Sequence, residues 1–171
     1  MQRIKRIFKE CRMRLTPFTE QDFASIYSFM HPLWHGTYGS FLNKEHIDFL
    51  LDKYFSQDGL NHYRKEQYVY LNILDDFGER MGVLVYVDRE TETYMDKLYL
   101  IESARGKGYP AFVFAYLCSL GKDVTLSVNQ NNARALRCYQ KNGFEIEQKI
   151  DVQLGHGMVN YDFLLRKKVQ K

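Results

Sequence analysis

The chain has 171 residues, enough for one domain that buries its own core. A net charge of +3 is too small to indicate nucleic-acid binding, and 45% hydrophobic with 26% charged residues is typical of a folded protein. Three cysteines at no metal spacing, no apolar leader and no bilayer-length apolar stretch favour a cytoplasmic protein with no membrane partner.

The first third of the chain predicts a strand followed by two helices. The strand is expected around residues 11–15, and Thr19 is a good N-cap for the helix after it. Helical spacing of apolar residues then predicts a helix that ends near residues 31–32. The segment WHGTYGSF, residues 34–41, is rich in glycine and aromatic residues and is expected to be a loop. A second helix is predicted after Asn43.

The rest of the chain alternates between strand and helix patterns. A helix between the fourth and fifth strands implies that these two are parallel, so the sheet is mixed. The order β-α-α-β-β-β-α-β-α-β-β predicts an α/β fold with a mixed α+β sheet. The predicted strands are 68–74, 80–87, 94–101, 124–128, 144–154 and 158–165, and the predicted helices are 108–120 and 131–142.

A glycine pair precedes the first of these two helices, in Arg105-Gly106-Lys107-Gly108. Glycines allow close approach of the backbone to an anion, and the free N–H groups of a helix start point at it. The motif lacks the Gly-Lys-Ser/Thr of a P-loop and the third glycine of a dinucleotide fingerprint. By itself it indicates a phosphate cradle or a plain turn.

The second motif, NNARALRCYQKNGF, runs over residues 131–144. Asn132 and Tyr139 are seven positions apart and share one helical face. A tyrosine there can protonate a thiolate, since the reference pKa of Tyr is about 10 and that of a thiol about 8.5. The alternative is a buried tyrosine that packs on the sheet. Cys138 points about 100° away on the helix and is not expected to be a nucleophile.

Together these segments resemble the two acetyl-CoA motifs of the GNAT superfamily of N-acetyltransferases. LYLIESARGKGY, residues 98–109, is similar to the fourth strand and its pyrophosphate loop, and NNARALRCYQKNGF to the later cofactor helix. The two motifs cover about a quarter of the chain. WHGTY, DKYFSQDGL and NYDFLLRKK bear a fainter resemblance to bacterial spermidine/spermine-type acetyltransferases. The resemblance implies one acetyl-CoA-binding domain over residues 1–171.

The resemblance also implies roles for individual residues. Tyr139 would be the general acid, Asn132 would bind the cofactor arm, and the strand edge at Leu100 and Ile101 would pair with pantetheine and polarise the thioester. The pyrophosphate would be held by the loop residues Arg105, Gly106, Lys107, Gly108, Tyr109 and Ala111.

Two positions depart from the family pattern. Pro110 replaces the last Gly/Ala of the loop and removes one N–H donor, although proline is sterically comfortable in a first helical turn. Glu102 stands where many relatives have proline. The base that deprotonates the amine is not evident: Glu102 and Asp96 are candidates, surface carboxylates are the plainer interpretation, and water relays serve many members of the superfamily.

The acceptor is expected between the first helix pair and the cofactor, against Trp34, Thr37 and Tyr38. Aromatic rings can hold an alkylammonium by cation–π contact. Alternatively, these rings only pin the loop to the core. The same segment carries the carboxylates Asp48, Asp52 and Asp58, which are expected either to pair with an amine or to form a solvated face.

The sequence therefore predicts transfer of an acetyl group from acetyl-CoA to a primary amine of a small molecule, with a polyamine as the candidate acceptor. The five histidines show no metal spacing, so no metal is expected. Among them, His35 in the aromatic segment is the only one considered as a candidate for a functional role. Two alternatives stay open, a non-catalytic acyl-CoA sensor and a protein or peptide N-acetyltransferase. The sequence does not distinguish a monomer from a homodimer.

Overall fold

The computed structural model describes residues 13–169, which contain seven strands and five α-helices. The mixed α/β class is confirmed, and no helix of residues 13–169 is long and apolar enough to cross a membrane. The strands are β1 Arg14–Pro17, β2 Val69–Leu74, β3 Arg80–Asp88, β4 Glu92–Leu100, β5 Asp123–Asn129, β6 Glu145–Gly155 and β7 Met158–Lys167. The helices are α1 Glu20–Tyr38, α2 Lys44–Phe55, α3 Gln57–Lys65, α4 Tyr109–Cys118 and α5 Ala133–Lys141.

Helix α1 begins as predicted but continues far past its predicted end. Thr19 and Asp22 form a reciprocal capping box at its start. The expectations of an end near residues 31–32 and of a loop over residues 34–41 are wrong, because Pro32 lies inside the helix and Gly39 caps it. An interior proline costs about 3 kcal/mol. Burial of one continuous apolar stripe, Ile26, Met30 and Trp34, offsets that cost.

The segment between β1 and β2 holds one helix more than predicted. Ser56 has an extended backbone that ends α2, and its side chain accepts a hydrogen bond from Gly59 N and so caps α3. A Cβ on Gly59 would overlap with the Lys53 carbonyl oxygen. Glycine at this position therefore allows the first turn of α3 to lie close against the backbone of α2.

The sheet has the strand order β1-β2-β3-β4-β5-β7-β6. β4 and β5 are parallel, as predicted, but they pair only from Glu92 opposite Asp123 to Met95 opposite Leu126. Beyond these residues the two strands separate. A gap therefore opens in the middle of the sheet, with the C-terminal halves of β4 and β5 on its two sides.

Helices cover both faces of the sheet. Along β3, Val83 and Val85 pack with the core of α1, α2 and α3, whereas Leu84 and Tyr86 pack with α4. Alternation with period two produces these two cores. Helix α4 is apolar nearly all round, as expected for a buried helix, and four of its side chains are fully or almost fully buried: Tyr109, Val113, Phe114 and Leu117.

Candidate active site

A cavity of about 680 Å³ lies where β4 and β5 separate. Its walls come from α1 and α2 on one face, from the C-terminal half of β4 and the end of β5, and from α5 and β7. The loop before α4 opens into it through Arg105 and Gly106. The elements that the sequence assigned to a cofactor and to an acceptor thus border one continuous space.

The loop from Arg105 to Ala111 has the backbone of an anion cradle. Gly106 and Gly108 have φ of 74° and 85°, in the left-handed region that favours glycine. A Cβ on Gly106 would meet nothing within 4 Å, so this glycine is required by conformation and not by space. Gly108 is the N-cap residue of α4 and has no side chain to cap the helix.

Several backbone donors of this loop are free. The N–H groups of Gly106, Lys107, Gly108 and Ala111 have no acceptor among residues 13–169. They lie at the positive end of α4, where an anion is stabilised. The loop therefore fits a pyrophosphate. Its side chains contribute less, because Tyr109 is only 3% exposed in the core and Lys107 does not border the cavity.

The strand edge predicted at Leu100 and Ile101 is only partly available. Ile101 N donates to the Met81 carbonyl oxygen at 2.9 Å, so it already belongs to the ladder with β3. Because N–H groups alternate along a strand, those of Leu98 and Leu100 point to the opposite edge, which β5 has left. An added extended chain can pair with this edge.

Helix α5 brings Asn132 and Tyr139 to the same wall, as their spacing predicts. Asn132 is the N-cap, and its Oδ1 accepts a hydrogen bond from Ala135 N at 3.2 Å, which leaves its NH₂ group as a donor. The Tyr139 ring packs between Phe114 and Phe144, and its hydroxyl has no hydrogen-bond partner among residues 13–169. Burial, with a smaller contribution from Tyr38, raises the pKa of Tyr139 above its ordinary value.

The three predicted acceptor residues, Trp34, Thr37 and Tyr38, all border the cavity. Trp34 is only 3% exposed and packs on Phe55 and Tyr99, so it also holds α1 to the core. Its Nε1 has no hydrogen-bond partner in the described part of the chain. The Tyr38 hydroxyl is hydrogen-bonded to the Tyr99 hydroxyl, and burial raises the pKa of Tyr38 to about 12.

The carboxylates of the helix pair do not reach this space. Asp48, Asp52 and Asp58 are not among the residues around the cavity, and Asp48 pairs instead with Lys44 and His35. The carboxylates that border the cavity are Asp96 and Asp162. The solvated-face interpretation therefore fits the three aspartates of α2 and α3.

Of the two candidate bases, Asp96 borders the cavity and Glu102 does not. Glu102 is exposed on a short 3₁₀ helix. Asp96 forms an ion pair with the neighbouring Lys97, whose Nζ lies 4.2 Å from the centre of the Tyr54 ring. Lys97 is buried, and desolvation lowers its pKa although Asp96 opposes that shift.

Asp162, which the sequence analysis did not single out, is 7% exposed and borders the same cavity from β7. Within residues 13–169 its Oδ1 has no hydrogen-bond partner, and the Oδ1 of Asn160, two residues earlier, has none either. Burial raises the pKa of Asp162 to about 6, against the effect of a hydrogen bond with Ser127. The available signal was a charged residue within the otherwise strand-like run NYDFLL.

A second polar cluster lies away from the cavity. His31, His35 and Asp48 bring their ligand atoms within 4.8 Å of one another, with His35 Nε2 2.8 Å from Asp48 Oδ1. The two histidines are four positions apart on α1, a relation that was hidden when the helix was expected to end near residue 31. His35 is thus a helical residue that is hydrogen-bonded to Asp48, and Asp48 also forms an ion pair with Lys44.

The two free cysteines among residues 13–169 are Cys118 and Cys138, and both are partly buried. Burial raises the pKa of each thiol, which disfavours the nucleophilic thiolate. Cys138 borders the cavity nonetheless. Cys11 lies outside the described residues.

A splayed mixed sheet, a glycine-rich loop before α4 and a free strand edge define a fold and a site suited to coenzyme A. Residues 23–144 match the family model "Acetyltransferase (GNAT) family". Because this match spans most of the chain, the chain belongs to the GNAT acetyltransferase family. It is accordingly an acetyl-CoA-dependent N-acetyltransferase, with acetyl-CoA as its co-substrate.

Solved structures share this fold at low sequence identity. The PaiA N-acetyltransferase of Thermoplasma acidophilum, in complex with coenzyme A, has a TM-score of 0.70 and 19% identity over 91% of this chain and 98% of its own. The spermidine N-acetyltransferase of Vibrio cholerae, in complex with CoA and spermine, has a TM-score of 0.64 and 14% identity over 92% of this chain and 95% of its own. No curated protein sequence matches the chain.

Proposed function

We propose that this protein transfers an acetyl group from acetyl-CoA directly to a primary amine of a small molecule, within a ternary complex. One observation carries the proposal: the start of the phosphate loop at Arg105 and Gly106, the free edge of β4 and the aromatic acceptor wall all border a single cavity. Acceptor and donor can therefore meet without a covalent enzyme intermediate. The raised pKa of the Cys138 thiol is consistent with direct transfer.

Each wall has a role in the proposal. The backbone of residues 105–111 binds the pyrophosphate, the β4 edge at Leu100 pairs with the pantetheine arm, and the Asn132 amide donates a hydrogen bond to that arm. Tyr139 donates its proton to the departing thiolate. Its raised pKa keeps the hydroxyl protonated at neutral pH, and the same apolar surroundings raise the pKa of a thiol beside it.

For the acceptor we propose a polyamine. The cavity is bordered by the aromatic rings of Trp34 and Tyr38 and by the carboxylate of Asp162, which forms no ion pair with a Lys, Arg or His among residues 13–169. Rings and carboxylates both favour an alkylammonium. The spermidine acetyltransferase of the same fold adds support. Three expectations stay predictions: the cytoplasm as the compartment, the single domain over residues 1–171, and the homodimer.

The test is a thiol-release assay with acetyl-CoA against spermidine, spermine, amino acids, aminoglycosides and peptide N-termini. We expect turnover of spermidine and spermine, and at least tenfold weaker kcat/KM for them in Tyr38→Ala, since an aromatic contact with a desolvated cation is worth about 2 kcal/mol. Tyr27→Ala, at an exposed site on the same helix, is the control. Turnover of another amine class alone would overturn the polyamine proposal, and release with peptides alone would favour a peptide acetyltransferase. No release with any amine would favour the acyl-CoA sensor.

A further inference from the structure

We propose that Asp162 is the catalytic base that takes the proton from the acceptor ammonium, a role that rests on the proposed acetyl transfer. An amine arrives at neutral pH as an ammonium and has no lone pair for attack. A group inside the cavity must therefore accept a proton before the C–N bond forms. Asp162 has the position and the chemical surroundings that this proton transfer requires.

The burial of Asp162 is the first argument. Its side chain is 7% exposed, and its Oδ1 has no hydrogen-bond partner among residues 13–169, although a buried carboxylate oxygen without a partner is costly. Asn160, which also borders the cavity, has a second buried oxygen without a partner in this part of the chain. Two unsatisfied acceptors side by side on β7 complement a ligand that carries N–H donors, which is what an ammonium is.

The charge balance around Asp162 is the second argument. No Lys, Arg or His among residues 13–169 forms an ion pair with it, and Ser127 is its hydrogen-bonding neighbour. Asp96 already has a cation, since Lys97 lies against it. Glu102 is outside the cavity. Of these three carboxylates, Asp162 alone combines access to the cavity with an uncompensated charge.

The third argument is the position of Asp162 relative to the proposed acid. Tyr38 and Tyr94 each interact electrostatically with Asp162, and each also interacts with Tyr139. Asp162, Tyr139 and both of these tyrosines border the same cavity. An acceptor nitrogen beside Asp162 therefore lies in the same cavity as Tyr139, where the thiolate must be protonated.

Other ionisable groups around the cavity come from most of the elements that border it. The helices α1 and α2 contribute Tyr38 and Tyr54, whose burial raises their pKa well above neutrality. From β6 no ionisable side chain borders the cavity. The remaining groups are Tyr94, Asp96, Lys97 and Tyr99 on β4, Arg89 and Tyr68 near the strand ends, Arg105 on the phosphate loop, and Arg134, Cys138 and Tyr139 on α5.

The chemistry balances with these residues alone. The Asp162 carboxylate takes one proton from R–NH₃⁺ and leaves R–NH₂ with a free electron pair. The nitrogen attacks the thioester carbon, the C–N bond forms, and the C–S bond breaks with its electron pair on sulfur. Tyr139 protonates that sulfur and regains a proton from the acylated nitrogen. Asp162 then releases its proton to water, so the products are the amide, CoA–SH and one proton.

The experiment compares wild type, Asp162→Asn and Asp151→Asn over pH 5 to 9.5, at saturating acetyl-CoA and at varied concentrations of spermidine, or of whichever panel amine wild type acetylates. Asp151 is an exposed carboxylate on the neighbouring β6 and serves as control. We expect a fall of about 100-fold or more in kcat/KM at pH 7 for Asp162→Asn only. The wild-type profile should rise through an apparent pKa near 6, and the variant should instead rise toward the pKa of the free amine, so that the gap narrows at pH 9.5.

Calorimetric titration with CoA checks that the variant retains a folded donor site. Unchanged CoA affinity together with the altered pH profile supports the proposal. It is overturned if Asp162→Asn keeps the wild-type rate, or if only KM for the amine rises while the shape of the profile persists, because a binding carboxylate would do that. If wild type itself acetylates no amine, the proposed function has failed rather than this role. Should Asp162→Asn not fold, Asp162→Glu supplies the same comparison, and a wild-type rate and profile in it support a carboxylate base.

Discussion

The two ends of the cavity recognise their ligands with different parts of the chain. The phosphate loop spans seven consecutive residues, 105–111, and presents backbone N–H groups whose direction depends on the φ angles of Gly106 and Gly108. The acceptor wall presents side chains, and it takes Trp34 and Tyr38 from α1 and Asp162 from β7, near opposite ends of the chain. One end is a local structure and the other is an assembled surface.

This difference predicts opposite sensitivities. A backbone cradle tolerates changes of side chain but not of backbone conformation. An assembled wall tolerates small backbone adjustments but loses its chemistry when one buried polar atom changes. Tyr139, on α5 at the junction of the two ends, belongs to the second kind, because only its hydroxyl is proposed to act. The four predictions below test this division.

Tyr139→Phe should have the largest effect in the set. We expect kcat to fall about 10²- to 10⁴-fold, the usual value of general acid catalysis, with acetyl-CoA affinity nearly unchanged. The ring contacts with Phe114 and Phe144 survive in phenylalanine, so folding should be intact. Steady-state kinetics and CoA calorimetry make the measurement.

The control for this prediction is Tyr161→Phe, since Tyr161 is 56% exposed on β7. It should retain the wild-type kcat. A wild-type rate in Tyr139→Phe would reduce Tyr139 to a packing residue and would leave the junction of the two ends without an acid.

Gly108→Val should weaken CoA binding about 10- to 100-fold, the loss expected for one hydrogen bond to a charged group. At φ 85° a β-branched residue is strained, so the loop amides must turn away from the phosphate. Calorimetry with CoA measures the loss. The added Cβ would be 3.9 Å from the Met13 Cε, an ordinary contact, so the fold should persist.

Gly121→Val is a matched control, because Gly121 follows α4 with φ 82° and open space around it. Both variants should lose similar thermal stability, and only Gly108→Val should lose CoA. Equal CoA affinity in the two variants would remove the phosphate from this loop.

The division between local and assembled features also explains what the sequence predicts. The strands, α4, α5 and the glycine loop were predicted because each depends on neighbouring residues: periodicity, caps and turn glycines. The end of α1 was not, since Pro32 is a local stop signal that tertiary burial of Met30 and Trp34 overrides. The break at Ser56 was missed because it separates two helices without proline or a long loop.

The same reasoning applies to the site. Residue types and spacing placed Asn132 and Tyr139 on one wall, and the family resemblance indicated Trp34 and Tyr38. The role of Asp162 at the site could not be predicted. No neighbouring residue in the sequence shows which strand pairs with the strand of Asp162, or that β4 and β5 separate beside it. Long-range pairing of β5 with β7 brings it to the cavity, with Asn129 opposite Asp162.

Asp162→Asn should also change the pH dependence of stability, by an amount on the order of 2–3 kcal/mol. The folded pKa of Asp162, about 6, is above its ordinary value of 3.8, so the unfolded state ionises first and wild-type stability falls as pH rises between these values. The asparagine side chain of Asp162→Asn does not ionise, so the variant does not lose stability in this way. Thermal denaturation of the ligand-free proteins should therefore give the variant an advantage that is absent at pH 4, grows through pH 6 and is constant above pH 7.

Asp151→Asn, at an exposed carboxylate, should show no such trend. Parallel wild-type and Asp162→Asn stability curves across this range would mean that Asp162 is as well solvated in the folded chain as in the unfolded one. The acceptor wall would then be hydrated, and not the desolvated surface that is proposed.

The smallest effect concerns Pro110, the one residue of the loop without an N–H. It borders the cavity in the first turn of α4. Pro110→Gly should restore a donor and tighten CoA binding up to about tenfold, although glycine costs about 1 kcal/mol of helix stability. Pro110→Ala restores the same donor at lower cost, so calorimetry should show tighter CoA binding in both variants and a lower melting temperature mainly in the glycine one. Weaker binding in both, with folding intact, would mean that the fixed φ of proline orients the neighbouring amides, and that even here backbone conformation outweighs the number of donors.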